Sequence, residues 1–143
     1  MTKESDSRLA SMLKQVPLFS TLNDKQLKTM VGLGKELSTQ AGQVIVTEGD
    51  RGVGFYLILS GNVRVKRGKR VLAELKEGDF FGEMSLFDNS PRSATVEAVT
   101  DTSCLGISAW SFMGMLKSNP DISINMLKEL AARLRKTTKA LAE

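Results

Sequence analysis

The residues able to do chemistry gather in one run, Phe80-Phe81-Gly82-Glu83-Met84-Ser85-Leu86-Phe87-Asp88-Asn89-Ser90-Pro91-Arg92-Ser93-Ala94-Thr95-Val96. A glycine such as Gly82 lets the backbone approach a bulky group closely. Residues 84–87 can form one short helical turn. Its leading N–H groups, around Met84 and Ser85, face outward and suit an anion. Pro91 fixes the approach to a following strand and leaves Asn89 and Ser90 in a turn. Arg92 then offers a planar fork of donors, the usual choice for bidentate phosphate recognition, and Ser93 adds a hydroxyl and an N–H. Glu83 would repel a phosphate, but it fits if it accepts from a sugar hydroxyl while Arg92 holds the charge. A ligand that satisfies this set carries a phosphate and a ribose hydroxyl close together. The plainer alternative is a strand–turn–strand corner in which Arg92 and Glu83 only pair with each other.

Both ends of this run, and the spacing between them, resemble the phosphate-binding cassette of cyclic-nucleotide-binding domains: Phe-Gly-Glu, a short helix, then Pro-Arg-x-Ala-Thr-Val. The resemblance extends from about Leu18 to the C-terminus. It implies cAMP or cGMP as ligand, no further cofactor, and ligand contacts from Gly82, Glu83, Met84, Ser85, Arg92 and Ser93. The Glu83-to-Arg92 spacing is that of kinase regulatory domains, one residue shorter than in the bacterial catabolite activators. Ser93 instead resembles the activators. Base selectivity therefore stays open.

Composition narrows the classes further. At 143 residues, 41% hydrophobic and 25% charged, the chain suits one globular domain with a real core. No run approaches the length of a membrane span, and the polar start, Met1 to Asp6, lacks a signal peptide's apolar segment. The single cysteine excludes an internal disulfide and suits a reducing, cytoplasmic setting. Cys104 reads as a buried, inert thiol in a strand. The absence of histidine disfavours zinc sites, Ser-His catalysis and cupin-type metal enzymes. No nucleophile–base pair is found, so no catalytic and no metal-binding residue is expected. The net charge of +4 permits, but does not require, an anionic partner.

The positioning elements follow from hydrophobic periodicity. Ser7 to Gln15 reads as an amphipathic helix stopped by Pro17, and Ser20 to Leu33 as a second, capped by Asn23 and ended by Gly32 and Gly34. From Lys35 the period changes to two. Strands are expected over Leu37 to Ala41, Val44 to Glu48, Phe55 to Ser60, Val63 to Arg67, Val71 to Leu75, Thr95 to Val99 and Ser103 to Ser108. Glycine turns separate them, each read as a plain turn except Gly82. Short, evenly spaced strands argue a sandwich or barrel. The fold expected is mainly β: a jelly-roll barrel (35–108, cassette 80–96) flanked by N-terminal helices (1–34) and C-terminal helices (109–143), all one domain. The basic hairpin Arg64-Val65-Lys66-Arg67-Gly68-Lys69-Arg70 lacks interleaved aromatics for base stacking and reads as a solvated tip.

Ala109 to Ser118 reads as a helix with Trp110 and Phe112 in a core or interface. Asp121 can cap a long helix from Ile122 to about Ala142. There Leu127, Leu130, Leu134, Thr137 and Leu141 fall at alternating steps of three and four, a heptad seam with one polar member. Asn119-Pro120-Asp121-Ile122, Ala131-Ala132-Arg133-Leu134 and Thr137-Thr138 resemble the dimerising helix of the catabolite activators. That resemblance implies a homodimer, Thr137 and Thr138 at the base, and Arg133 supporting Glu83. A helix lying on its own barrel is the alternative.

The expectation is a non-catalytic cyclic-nucleotide sensor that couples binding to repositioning of its C-terminal helices. It would be a stand-alone sensor or the regulatory piece of a larger protein, with an effector protein or domain still to be identified. Nucleic acid is not expected as a partner of this chain alone. The competing expectation is a degenerate scaffold or nucleic-acid-interaction module that binds no nucleotide.

Overall fold

The computed structural model describes residues 3–51, 54–88 and 90–142, and it places them in two compact units. The helical unit comprises Met1–Gly32 and Gly114–Glu143, and the β unit comprises Leu33–Met113.

In the helical unit, α1 spans Lys3–Lys14 and starts before the expected Ser7. Apolar periodicity begins only at Leu9, so the polar first turn carries no pattern to read. Leu9, Leu13 and Val16 are buried. Pro17 does more than stop this helix: it opens a 3-10 turn, Pro17–Phe19, that buries Leu18 and Phe19. Helix α2 therefore begins at Asp24, not Ser20, and runs to Leu33. Asn23 caps it reciprocally with Gln26: the Asn23 side-chain oxygen accepts from the Gln26 N–H at 2.8 Å, and Gln26 Oε1 accepts from the Asn23 N–H at 2.9 Å. Gly32 lies inside this helix and Gly34 just beyond it. A side chain at Gly34 would overlap Leu105, with Cδ1 at 2.5 Å from its Cβ. The long helix α5 spans Pro120–Ala142. Its start differs from expectation: the Asn119 carbonyl accepts from the Ile122 and Ser123 N–H groups, and Pro120 takes the first helical position, so Asp121 sits inside the first turn and is not the cap.

The β unit holds two four-stranded antiparallel sheets. One has the order β1 (Lys35–Thr39), β8 (Thr102–Ser108), β3 (Gly54–Ser60), β6 (Phe80–Phe81). The other has β2 (Val44–Val46), β7 (Thr95–Ala98), β4 (Asn62–Arg67), β5 (Arg70–Lys76). The jelly-roll expectation holds as a sandwich whose sheets stay open rather than as a closed barrel. Strand β3 is buried along almost its whole length, as a central strand with both faces covered. Tyr56, Ile58, Val63, Val96 and Cys104 form a buried cluster, with Phe81, Ile45, Val46, Val65 and Leu75 packed against it. Helix α3 (Ser85–Asp88) is the short turn expected inside the cassette, and Asn89 lies outside the described residues. Helix α4 spans Ala109–Ser118. Phe112 is fully buried, whereas Trp110 is 89% exposed and so belongs to no core. Among the described residues, no helix is long and apolar enough to cross a membrane.

Candidate functional site

The cassette folds back on itself, and Arg92 lies at the centre. Its backbone is fixed first. The Arg92 N–H donates to the Asp50 carbonyl at 2.7 Å, and the Arg92 carbonyl accepts from the Gly49 N–H at 2.9 Å. Arg51 and Pro91 form an isolated antiparallel bridge beside them. Glu48-Gly49-Asp50, which reads in sequence as a plain turn, is thus the support of the site arginine.

The Arg92 side chain is buried, with 8% exposed. One terminal nitrogen donates to the Gly54 carbonyl, and the other to Ser85 Oγ at 3.3 Å. The guanidinium lies 5.8 Å from the centroid of the Tyr56 ring. Its Nε is buried without a hydrogen-bond partner. Among the described residues no carboxylate pairs with Arg92, so the corner with a closed Arg92–Glu83 pair is not what forms. Burial lowers the Arg92 pKa, with a partial opposing effect from Tyr56. Burial likewise raises the Tyr56 phenol, opposed by Arg92 and reinforced by Cys104.

Gly82 takes φ +81°, a conformation that favours glycine, and a Cβ there would collide with an Arg92 terminal nitrogen. The groups that crowd Gly82 are therefore the protein's own: the Arg92 guanidinium and the Gly54 carbonyl, whose oxygen would lie 2.5 Å from that Cβ. The N–H groups of Ser85, Leu86 and Phe87 are taken by the carbonyls of Gly82, Glu83 and Met84 at 3.1–3.2 Å, so the outward-facing donors expected from this turn cannot include them.

A cleft of about 390 Å³ opens over this arrangement, lined among others by Gly82, Glu83, Met84, Ser85, Arg92 and Ser93. All six cassette candidates come together here, Glu83 half-buried and Met84 and Ser93 exposed. Among the described residues, every one that lines the cleft belongs to the β unit. Arg133, Thr137 and Thr138 lie on α5 in the helical unit, the threonines exposed and Arg133 half-buried.

The tip of the basic hairpin, residues 67–70, is exposed, as its reading as a solvated tip expects, and it also reaches this site. Arg67 Nε donates to the Ser93 carbonyl at 3.1 Å. The Gly68 N–H donates to the Glu48 carboxylate at 3.1 Å, and the Glu48 N–H donates to Thr95 Oγ1 at 2.9 Å. Arg64 and Lys66 meet Glu97 at 3.9 and 3.2 Å, and Arg64 also meets Glu74 at 3.4 Å.

Sequence reasoning missed Gly54 and Tyr56. Gly54 has φ +146° and supplies the carbonyl that holds Arg92; a Cβ there would strike the Ile107 carbonyl and come within 3.0 Å of the Ala109 nitrogen. The available signal was two glycines, Gly52 and Gly54, just ahead of an apolar run. That reads as a strand boundary and hides the backbone acceptor.

Comparison with known proteins gives the family of the chain. The family described as cyclic nucleotide-binding domain matches residues 36–119. The Cyclic AMP receptor protein of Thermus thermophilus is 34% identical over 128 residues, covering 86% of this chain and 59% of that protein. A cAMP-dependent protein kinase regulatory subunit of Schizosaccharomyces pombe is 40% identical over 91 residues, 63% of this chain. The chain spans only about a fifth, 22%, of that subunit's length. Among solved structures, the N-terminal domain of a transcriptional regulator from Streptomyces coelicolor superposes with a TM-score of 0.86 at 31% identity, covering 91% of this chain and 94% of that one. The regulatory domain of Toxoplasma gondii PKA, crystallised with cAMP, gives 0.75 at 30% identity, over 80% of this chain and 45% of that one. This chain belongs to the cyclic nucleotide-binding domain family.

Proposed function

We propose that this protein is a cAMP sensor, a binding module rather than a catalyst, that passes ligand occupancy to its C-terminal helices. The observation that carries the reading is Arg92. A buried guanidinium normally needs a counterion. Here a carbonyl, a hydroxyl and an aromatic face take its place, and one N–H stays unmatched. The cleft therefore calls for an anion with paired oxygens, and a cyclic phosphate supplies it. In this reading Glu83 accepts from the ribose 2′-hydroxyl, while Ser93 adds a hydroxyl to the phosphate.

The relatives support cAMP as the ligand: the Thermus protein is described as a cyclic AMP receptor, and the Toxoplasma domain was crystallised with cAMP. Coupling begins at Phe87 on α3, whose ring meets that of Phe112 on α4 edge-on at 5.3 Å. A ligand that draws α3 toward its phosphate shifts what Phe112 packs against, and so biases α4. In a homodimer, Thr137 and Thr138 would reach the base from α5, with Arg133 supporting Glu83.

Calorimetric titration with cAMP and cGMP tests the site. Wild type should bind, and Arg92→Ala should lose at least about thirtyfold in affinity, as expected for removing one partner of a desolvated charge pair. Equal affinity in the two proteins would remove Arg92 from the site.

A further inference from the structure

We propose that Tyr56 is a positioning residue for Arg92: its ring face stands where a buried guanidinium ordinarily has a carboxylate, holding Arg92 in place while leaving its charge for the ligand's phosphate. The inference rests on the cyclic-nucleotide reading of the cleft and adds a residue outside the cassette to it.

Three observations converge on this ring. First, Arg92 lies 5.8 Å from the Tyr56 centroid, within cation–π range, and no carboxylate among the described residues pairs with it. Second, the ring is itself held. Tyr56 is 8% exposed and stacks on Phe81 with centroids 5.0 Å apart and planes 15° from parallel. Phe81 immediately precedes Gly82, so through Tyr56 one β3 residue touches both the beginning and the end of the cassette. Third, the space for the ring is provided on the neighbouring strand. Gly106 pairs with Tyr56, and a Cβ at Gly106 would sit 3.4 Å from Tyr56 Cε1 and 3.1 Å from Leu37 Cδ1.

A carboxylate in this place would fix Arg92 as well, but it would neutralise it and compete with the incoming phosphate. An aromatic face attracts the cation without cancelling its charge. The Gly54 carbonyl and Ser85 hydroxyl act in the same sense, as neutral acceptors. The result is an arginine aimed before ligand arrives, which lowers the ordering cost of binding.

The sequence provides a direct test, because Tyr56 is the only tyrosine in the chain. Biosynthetic replacement by mono- and then difluorotyrosine alters this one ring, withdrawing electron density from its face with little change of shape. Measured at mildly acidic pH, where the phenol stays neutral, cAMP affinity should fall stepwise with fluorination. Tyr56→Phe should bind cAMP within about twofold of wild type, and Tyr56→Leu should lose roughly 3- to 30-fold. Adenosine, which lacks the phosphate, should bind all these proteins alike in a chemical-shift titration. Flat affinity across the fluorinated series, or an equal loss of cAMP and adenosine in Tyr56→Leu, overturns the proposal and leaves Tyr56 as packing. Should Tyr56→Leu fail to fold, the fluorinated series decides alone. Wild type that binds neither cAMP nor cGMP overturns the cyclic-nucleotide reading, and this inference with it; wild-type binding with a flat series overturns this inference only.

Discussion

Gly54 has two demands on it that only a glycine meets. Its φ of +146° is costly for any residue with a Cβ, and the added atom would strike the Ile107 carbonyl. Its own carbonyl holds Arg92. Gly54→Ala should therefore destabilise the fold by about 2 kcal/mol or more, measured by denaturant unfolding, and weaken nucleotide binding in whatever folded protein remains. A second residue-scale prediction concerns Cys104, 2% exposed, whose thiol burial pushes up to about 11 from an ordinary 9.0. Above pH 9 the unfolded chain ionises this thiol while the folded chain keeps its proton. The unfolded state then binds fewer protons, so stability falls as pH rises from about 9 to 11, by about 2 kcal/mol across that window. The raised Tyr56 phenol acts in the same direction at higher pH. Unfolding free energies below and above this window should show the loss in wild type and a smaller one in Cys104→Ala. An equal loss in both would assign the slope to other groups.

At the scale of elements, α3 and α4 meet at an aromatic pair, and α4 carries its own reporter. Phe87 is half-buried, Phe112 fully buried, and Trp110, the chain's only tryptophan, is 89% exposed two residues before Phe112. If α3 transmits ligand occupancy to α4, cAMP should shift Trp110 emission. Phe87→Ala should abolish most of that shift while keeping cAMP affinity within about tenfold, since a partly exposed ring loses less on truncation than a core one. An undiminished shift in this variant would sever Phe87 from the relay. How legible these elements were depended on the kind of signal each needs. The strands carried a period of two and were found within about two residues. β6 was missed because Phe80 and Phe81 are too short a run for any period to show. The cassette was legible because its chemistry is local in sequence: Gly82, Glu83, Arg92 and Ser93 lie within one loop. Its supports were not, because Asp50, Gly54 and Tyr56 act from 36 to 42 positions away, two of them through backbone atoms that any residue type possesses. Sequence shows which side chains are present, but a carbonyl aimed at a guanidinium appears only once the strands are paired.

For the molecule as a whole, α5 poses the open question. Leu127, Leu134 and Leu141 are 65%, 68% and 84% exposed, on the seam marked by the heptad spacing, and Ile124 adds 49%. A helix with so much unburied leucine at that spacing is expected to find a partner helix. In the dimer we propose, Thr137 is the polar member of the seam and Thr138 its neighbour, both contacting the base of a bound nucleotide. Ligand binding and subunit association are then linked, and by reciprocity each must strengthen the other. A hydroxyl can accept from an adenine amino group or rotate to donate to a guanine oxygen, so the pair should favour both nucleotides with little discrimination. Replacing both threonines by valine keeps their volume and deletes the polar contact. The double variant should bind cAMP several-fold more weakly, yet associate at least as tightly without ligand, because a polar seam position costs a coiled coil stability. Sedimentation of both proteins across a concentration series, with and without cAMP, reads the two effects separately. A wild type that stays monomeric throughout, together with unchanged cAMP affinity in the valine variant, would restrict the binding site to the β unit and leave the leucines of α5 needing another partner.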